Sequence, residues 1–102
     1  MKKSEKVGLS LKALLLDHDL EMLNTLTQKL IGLGMDIESS DSLHRARMLF
    51  KQDPMKIQVL ITEINFQDGD AFTLIKWIRK KNPNLSALIV TGDAGLPSAI
   101  TA

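Results

Sequence analysis

The chain has 102 residues, enough for a single domain with one modest hydrophobic core. Its net charge of +1 and its 44% hydrophobic and 25% charged residues are those of an ordinary globular protein, and they give no reason to expect nucleic acid as a partner. The absence of cysteine excludes disulfides, thiolate metal sites and cysteine nucleophiles, and the longest apolar runs are too short to cross a bilayer. We therefore expect one cytoplasmic domain, spanning residues 1–102, without a membrane contact.

The first predicted strand and helix follow a polar start. Residues 1–9 predict a flexible leader, and the compact apolar run 11–16 predicts a strand that is buried on both faces. Asp19 is the expected N-cap of a helix, since its carboxylate can accept hydrogen bonds from free backbone N–H groups. Gly34 is the expected end of that helix. Its apolar stripe consists of leucines at helical spacing, namely Leu23, Leu26, Leu30 and Leu33.

A second strand and helix come next. Residues 35–39 alternate apolar and polar side chains, which favours a strand nearer the sheet edge. Residues 40–42 offer N-caps for a helix that ends at Asp53-Pro54. The buried face of this helix is predicted to contain Leu43, Ala46, Leu49 and Phe50.

The remaining elements repeat this alternation. Residues 57–61 predict a buried strand, residues 65–70 a loop, and residues 87–90 another buried strand. Between them a third helix ends at residues 82–84, with Phe72, Leu74, Ile75 and Ile78 as its apolar positions. The tail, residues 96–102, is typical of the start of an unfinished helix. Strands that alternate with helices indicate a parallel sheet with right-handed crossovers.

Polar side chains follow three of the buried strands. Asp17, His18 and Asp19 follow the first, Glu63 follows the strand at 57–61, and Thr91 follows the last. The carboxyl ends of parallel strands meet at one edge of the sheet, where ligands bind in such folds. The sequence therefore predicts a crevice of acids and hydroxyls, suited to a hard cation or a phosphoryl group.

Three stretches carry a family resemblance: LLLDHDLEML, QVLITEINFQDGDAFTLIKWIR and NPNLSALIVTGDAG. They resemble the receiver domain of bacterial two-component response regulators (CheY-like), over most of residues 11–95. The resemblance implies a flavodoxin-like three-layer α/β/α fold with a parallel sheet of order 2-1-3-4. Compared with that family, the chain is expected to lack the fifth strand and the last helix.

The resemblance also implies roles for the residues at the strand ends. In the family, an acidic pair after the first strand holds Mg²⁺, the third strand ends in the phosphorylated aspartate, and a Thr or Ser after the fourth follows the phosphate. Asp17 matches the first acid of the pair, Glu63 stands at the phosphoacceptor position, and Thr91 matches the switch hydroxyl. The family's lysine lies on a fifth strand, and the chain ends at Ala102 before such a strand is expected.

Two departures weaken this chemistry. His18 stands where the second acid belongs, and Mg²⁺ prefers oxygen ligands in octahedral geometry. The extra methylene of Glu63 moves its carboxylate by about 1.5 Å, and in-line attack tolerates little misplacement. We expect no catalysis, no resident cofactor, and at most weak Mg²⁺ binding at Asp17 and Glu63. Alternatively, Asp17, His18 and Glu63 form a site for Zn²⁺ or another transition metal. Glu63 itself is a solvated carboxylate, a mimic of the phosphorylated form, or a relic.

The resulting hypothesis is a pseudo-receiver that signals through protein–protein interaction without aspartyl phosphorylation. The alternatives are a phosphorylation-competent receiver and an N-terminal fragment of a longer transcriptional response regulator. The expected partners are a kinase or effector domain, or a second copy of the chain.

The predicted contact surface lies at the last strand. Without a fifth strand, residues 87–90 form a sheet edge, and Ile61 and Ile89 are expected to be partly bare. We therefore predict a homodimer or a partner contact through this edge, with Trp77, Leu88 and Val90 as the candidate interface residues.

Overall fold

The computed structural model describes residues 11–90 and the backbone of residues 99–101. The helices are α1 (Leu20–Gly32), α2 (Leu43–Gln52) and α3 (Ala71–Lys81). The strands are β1 (Lys12–Leu16), β2 (Asp36–Ser40), β3 (Val59–Thr62), β4 (Asn65–Phe66), β5 (Gly69–Asp70), β6 (Ser86–Val90) and β7 (Ala99–Thr101). None of the helices in the described ranges is long and apolar enough to span a membrane.

The main sheet has the order β2-β1-β3-β6-β7, and its first four strands run parallel. This arrangement confirms the predicted flavodoxin-like class with strand order 2-1-3-4. The register pairs Leu16 with both Ser40 of β2 and Thr62 of β3, so these three strands end at the same level. The residues that follow β1 and β3 are therefore neighbours at one edge of the sheet.

The sheet nevertheless has a fifth strand, and the expectation that 87–90 is a bare edge was wrong. Strand β7 pairs antiparallel with β6, with Leu88 opposite Thr101 and Val90 opposite Ala99. A parallel fifth strand needs a crossover of a dozen or more residues, whereas residues 91–98 are enough only for an antiparallel return. The expected start of a helix at 96–102 is likewise wrong for Ala99–Thr101, which form a strand. The leader 1–9 and the rest of the tail lie outside the described residues.

Apolar side chains cover both faces of the sheet. The larger cluster lies between the sheet and helices α2 and α3, and it includes Leu14, Phe50, Leu60, Leu74 and Ile78. The smaller one lies under α1 and contains Ala13, Leu15, Leu23 and Ile61. Ile61 and Ile89 are only 8% and 2% exposed, so the expectation that they are partly bare was also wrong. Phe72, expected on the apolar face of α3, is exposed.

Short polar side chains begin all three helices. The carboxylate of Asp19 accepts from the N–H groups of Glu21 and Met22, Ser42 caps α2, and Asp70 caps α3. Gly34 follows α1 with φ +95°, a conformation that residues with a Cβ rarely adopt. The predicted N-cap and stop signal of α1 are therefore confirmed.

Residues 65–70, predicted as a loop, form the antiparallel hairpin β4-β5. Its turn places the carboxylate of Asp68 over the start of α2, where it accepts from the backbone N–H groups of Leu43 (3.2 Å) and His44 (2.9 Å). Gly69 has φ +142°, and a Cβ there would lie 3.1 Å from Leu43 Cδ1. The hairpin is thus held closely against the first turn of α2.

Candidate functional site

The sheet edge brings together three of the predicted site residues. Asp17 and His18 follow β1, and Glu63 follows the neighbouring strand β3. Backbone hydrogen bonds continue the parallel pairing there, from Glu63 N to Leu16 O (3.3 Å) and from Asp17 N to Ser40 O (3.2 Å). As a result, one ligand-type atom of each of Asp17, His18 and Glu63 lies within 4.8 Å of the others.

His18 and Glu63 form the central contact of this cluster. One carboxylate oxygen of Glu63, Oε2, accepts from the backbone N–H of His18 and also contacts Nδ1 of the His18 ring. The Glu63 side chain is 19% exposed and the His18 side chain 61% exposed. The hydrogen bond and the negative charge of Glu63 raise the pKa of His18 above its ordinary value. The imidazolium form of His18 is therefore favoured by its partner.

Asp17 is the more enclosed acid. Its Oδ1 accepts from the backbone N–H of Asp19 at 2.9 Å and lies 4.0 Å from His18 Nδ1. Burial, together with the nearby carboxylate of Glu63, raises the pKa of Asp17 despite the hydrogen bond from Asp19. The carboxylates of Asp17 and Glu63 thus repel each other when both are ionised, and protonation of the His18 ring beside them would offset that repulsion.

Asp19 has a different role in the local structure. Its carboxylate is used in capping α1, as predicted, although the residue lines the same cleft. This cleft, of about 280 Å³, is lined by Asp17, His18, Asp19 and Glu63 together with the apolar side chains of Met22, Leu26 and Val90. His18 also lines a second cleft, of about 450 Å³, together with Leu20, Asp41, Ser42, Gln67 and Asp68.

The donor set does not fit the Mg²⁺ ion that receiver-like folds imply. Mg²⁺ requires near-octahedral oxygen ligands. Here an imidazole nitrogen occupies the position of one carboxylate, and Glu63 Oε2 already has two partners from His18. One nitrogen and two carboxylates instead resemble the mixed ligands that Zn²⁺ accepts, which keeps the transition-metal alternative open.

The other predicted residues are not gathered into one surface. Trp77 is half-buried on α3, with its ring 5.8 Å from that of Phe50 in an edge-on arrangement. Val90 packs on the opposite face of the sheet, in the cluster under α1. Because side chains alternate along β6, Leu88 faces the same side as Val90, whereas Ala87 and Ile89 face helices α2 and α3. Trp77 therefore does not share a face with Leu88 and Val90. Thr91 lies outside the described residues.

Sequence analysis missed Asp68. The carboxylate of Asp68 accepts hydrogen bonds from the backbone N–H groups of His44 and Leu43. These bonds and the positive charge of Arg47 lower the pKa of Asp68. No local sequence signal predicts this contact, because Asp68 and Leu43 are 25 residues apart. The cap of α3 was not predicted either, although Asp70, three residues before Thr73, is a local N-cap signal; its carboxylate accepts from Thr73 N at 3.0 Å.

One curated sequence relative was found, and no family model matches the chain. The chain is 25% identical over 91 residues to the response regulator protein PilR of Pseudomonas aeruginosa. The match covers 89% of this chain but only 20% of PilR, so the chain spans about a fifth of that relative.

Solved structures show the same fold. A response regulator receiver protein from Pseudomonas putida is similar with a TM-score of 0.71 and 27% identity, over 83% of this chain and 70% of that one. A receiver domain protein from Clostridium thermocellum gives a TM-score of 0.77 with 21% identity, over 82% and 67% of the two chains. The sequence relative and the structural matches agree with the resemblance predicted from the sequence.

Proposed function

Because this chain is a CheY-like receiver domain of the response-regulator type, we propose that it signals through protein–protein contacts without aspartyl phosphorylation. The observation that carries this proposal is the contact of Glu63 with His18. The carboxylate at the acceptor position accepts from both the ring and the backbone N–H of the residue that replaces the second acid.

The argument rests on what phosphoryl transfer requires. The transferred group needs an in-line acceptor oxygen and a divalent cation to neutralise its charge. Here the residue at the acceptor position is a glutamate whose Oε2 already contacts His18, and that contact and the charge of Glu63 raise the pKa of the His18 imidazole. A phosphoryl group or Mg²⁺ that bound to Glu63 would have to displace the contact between Glu63 and His18, which disfavours the binding of either.

The proposed output is recognition by another protein. His18 and Glu63 line the adjoining clefts, and we propose that a kinase or effector domain binds this surface without a phosphorylation step. A second copy of the chain is the other proposed partner. We propose a cytoplasmic location and no enzymatic activity, in keeping with a domain that only binds.

The test is a phosphorylation assay with Mg²⁺ and acetyl phosphate, read by intact-protein mass spectrometry and ³¹P NMR. The expected result is no adduct on this chain, while an ordinary receiver domain with an acidic pair and an acceptor aspartate is modified in the same mixture. An acyl phosphate on Glu63 would overturn the proposal.

The second candidate is a phosphorylation-competent receiver, either alone or as the first part of a longer regulator. It is favoured by the sequence match to PilR, of which this chain covers 20%. The same assay separates the two candidates, because only the competent receiver forms an adduct.

A further inference from the structure

Helices α2 and α3 carry an unusual charge distribution. Helix α2 contains the cations Arg45, Arg47 and Lys51, and helix α3 contains four more, with no Asp or Glu in either helix. Helix α1, in contrast, has one acid and one base, Glu21 and Lys29. Since the whole chain has a net charge of only +1, the positive charge is concentrated on the layer that α2 and α3 form on one face of the sheet.

Three of these cations converge on the single tryptophan of the chain. The Arg47 guanidinium carbon lies 5.8 Å from the centre of the Trp77 ring, and the ammonium groups of Lys51 and Lys81 lie at 6.0 Å and 4.9 Å. Each distance is within the about 6 Å at which a cation is attracted to an aromatic ring. We call the surface formed by Arg47, Lys51, Trp77 and Lys81 the basic tryptophan patch.

No acid neutralises the patch within the described part of the chain. None of the carboxylates in residues 11–90 lies within 4 Å of the charged groups of Arg47, Lys51 or Lys81. The charge of Arg47 contributes to lowering the pKa of Asp68, but the Asp68 carboxylate is hydrogen-bonded to the backbone N–H groups in the first turn of α2 and not to Arg47. Three like charges around one ring repel each other, and an anion placed among them would relieve that repulsion.

The helix dipole explains only part of this arrangement. Lys51 and Lys81 lie in the last turns of their helices, where cations are favoured. Arg47 does not lie in a last turn, and the dipole gives no reason for side chains of two helices to gather over one ring. A half-buried tryptophan surrounded by unpaired cations has the composition of a binding hot spot, in which Trp and Arg are enriched.

We propose that the basic tryptophan patch is a docking site for an acidic segment of a partner protein. Arg47 and Lys51 are one helical turn apart and Lys81 approaches from the neighbouring helix, so carboxylates of one short segment can reach all three. The compact patch suits a few carboxylates rather than a phosphate backbone.

Trp77 is the natural reporter, because no other tryptophan contributes to the fluorescence. The probe is a short Glu-rich peptide without aromatic residues, titrated at low salt into the full chain, with a Gln-rich peptide as the neutral control. The expected result is a saturable change in Trp77 emission with the Glu-rich peptide alone. Replacing Arg47, Lys51 and Lys81 together by Gln should weaken binding roughly ten-fold or more.

The matched control removes the same charge elsewhere. The triple variant Lys29→Gln, Arg45→Gln and Lys56→Gln has the same net charge but an intact patch, and it should bind as the wild type does. Circular dichroism establishes that both variants are folded.

Four results would overturn the proposal. The first is no saturable binding of the Glu-rich peptide, and the second is an equal loss of binding in both triple variants. The third is preferential binding of a short DNA duplex, which would assign the patch to nucleic acid. A concentration-dependent change in emission without any peptide would assign it to a second copy of the chain and would also overturn the proposal.

Discussion

At the scale of single residues, the contact between His18 and Glu63 governs the candidate site. Glu63 raises the pKa of His18, so replacing Glu63 by Gln should lower that pKa toward the ordinary value of about 6.5. Since the folded-state pKa is the higher one, the contribution of the pair to stability is fully present below about pH 6.5 and is lost as the pH rises through the folded pKa. An NMR titration of the imidazole measures this directly. Equal His18 pKa values in the wild type and in Glu63→Gln would contradict the geometry.

The metal preference of Asp17, His18 and Glu63 is a second residue-scale prediction. We expect Mg²⁺ to bind with a dissociation constant in the millimolar range or weaker, which is a binding free energy no more favourable than about −4 kcal/mol. The reason is that His18 stands where the second acid of the family's metal-binding pair is expected. His18→Asp should tighten Mg²⁺ binding by supplying that oxygen ligand. NMR titrations that follow the amides of Asp17 and Asp19 measure both constants, and saturable micromolar Mg²⁺ binding by the wild type would refute the expectation. In the same titrations, micromolar Zn²⁺ binding that His18→Ala abolishes would support the transition-metal alternative.

At the scale of elements, Asp68 joins the β4-β5 hairpin to α2. Asp68→Ala removes two acceptor contacts at the start of α2, while Ser42 still binds Arg45 N. Because Asp68 is exposed, we expect a loss of about 1 kcal/mol in the free energy of unfolding, measured by urea denaturation. The lowered pKa means that this contribution is present above the ordinary carboxyl pKa and is lost as the pH falls through the folded one. Asp68→Asn keeps an acceptor oxygen and should lose less, so an equal loss in both variants would argue against a cap.

The elements also show how far local sequence patterns determine the structure. Apolar runs, N-caps and Gly34 predict β1 and α1, since each depends on neighbouring residues, whereas the order of the sheet was implied by the family resemblance. The convergence of Asp17 and Glu63 follows from the same pattern, because parallel strands end at one edge. The pairing of β7 and the contacts of Asp68 and Trp77 depend on residues that are not neighbours in the sequence. The hairpin at 65–70 is local, but its two-residue strands are too short to show a periodic pattern. Periodicity carries no signal for such contacts, so the sequence did not predict them.

At the scale of the whole molecule, the state of the sheet edge decides between a monomer and a dimer. Strand β7 covers the backbone of β6 that was expected to pair with another copy. It is only three residues long, so its pairing is a modest barrier to exchange with a partner strand. Truncation before Ala99 should therefore expose the edge, reduce the hydrogen-exchange protection of β6, and increase self-association at micromolar concentration. Sedimentation velocity of the full and truncated chains, with exchange at Leu88 and Val90, measures both effects. A full chain that dimerises as strongly as the truncated one, with unprotected β6 amides, would mean that β7 does not close the sheet in solution.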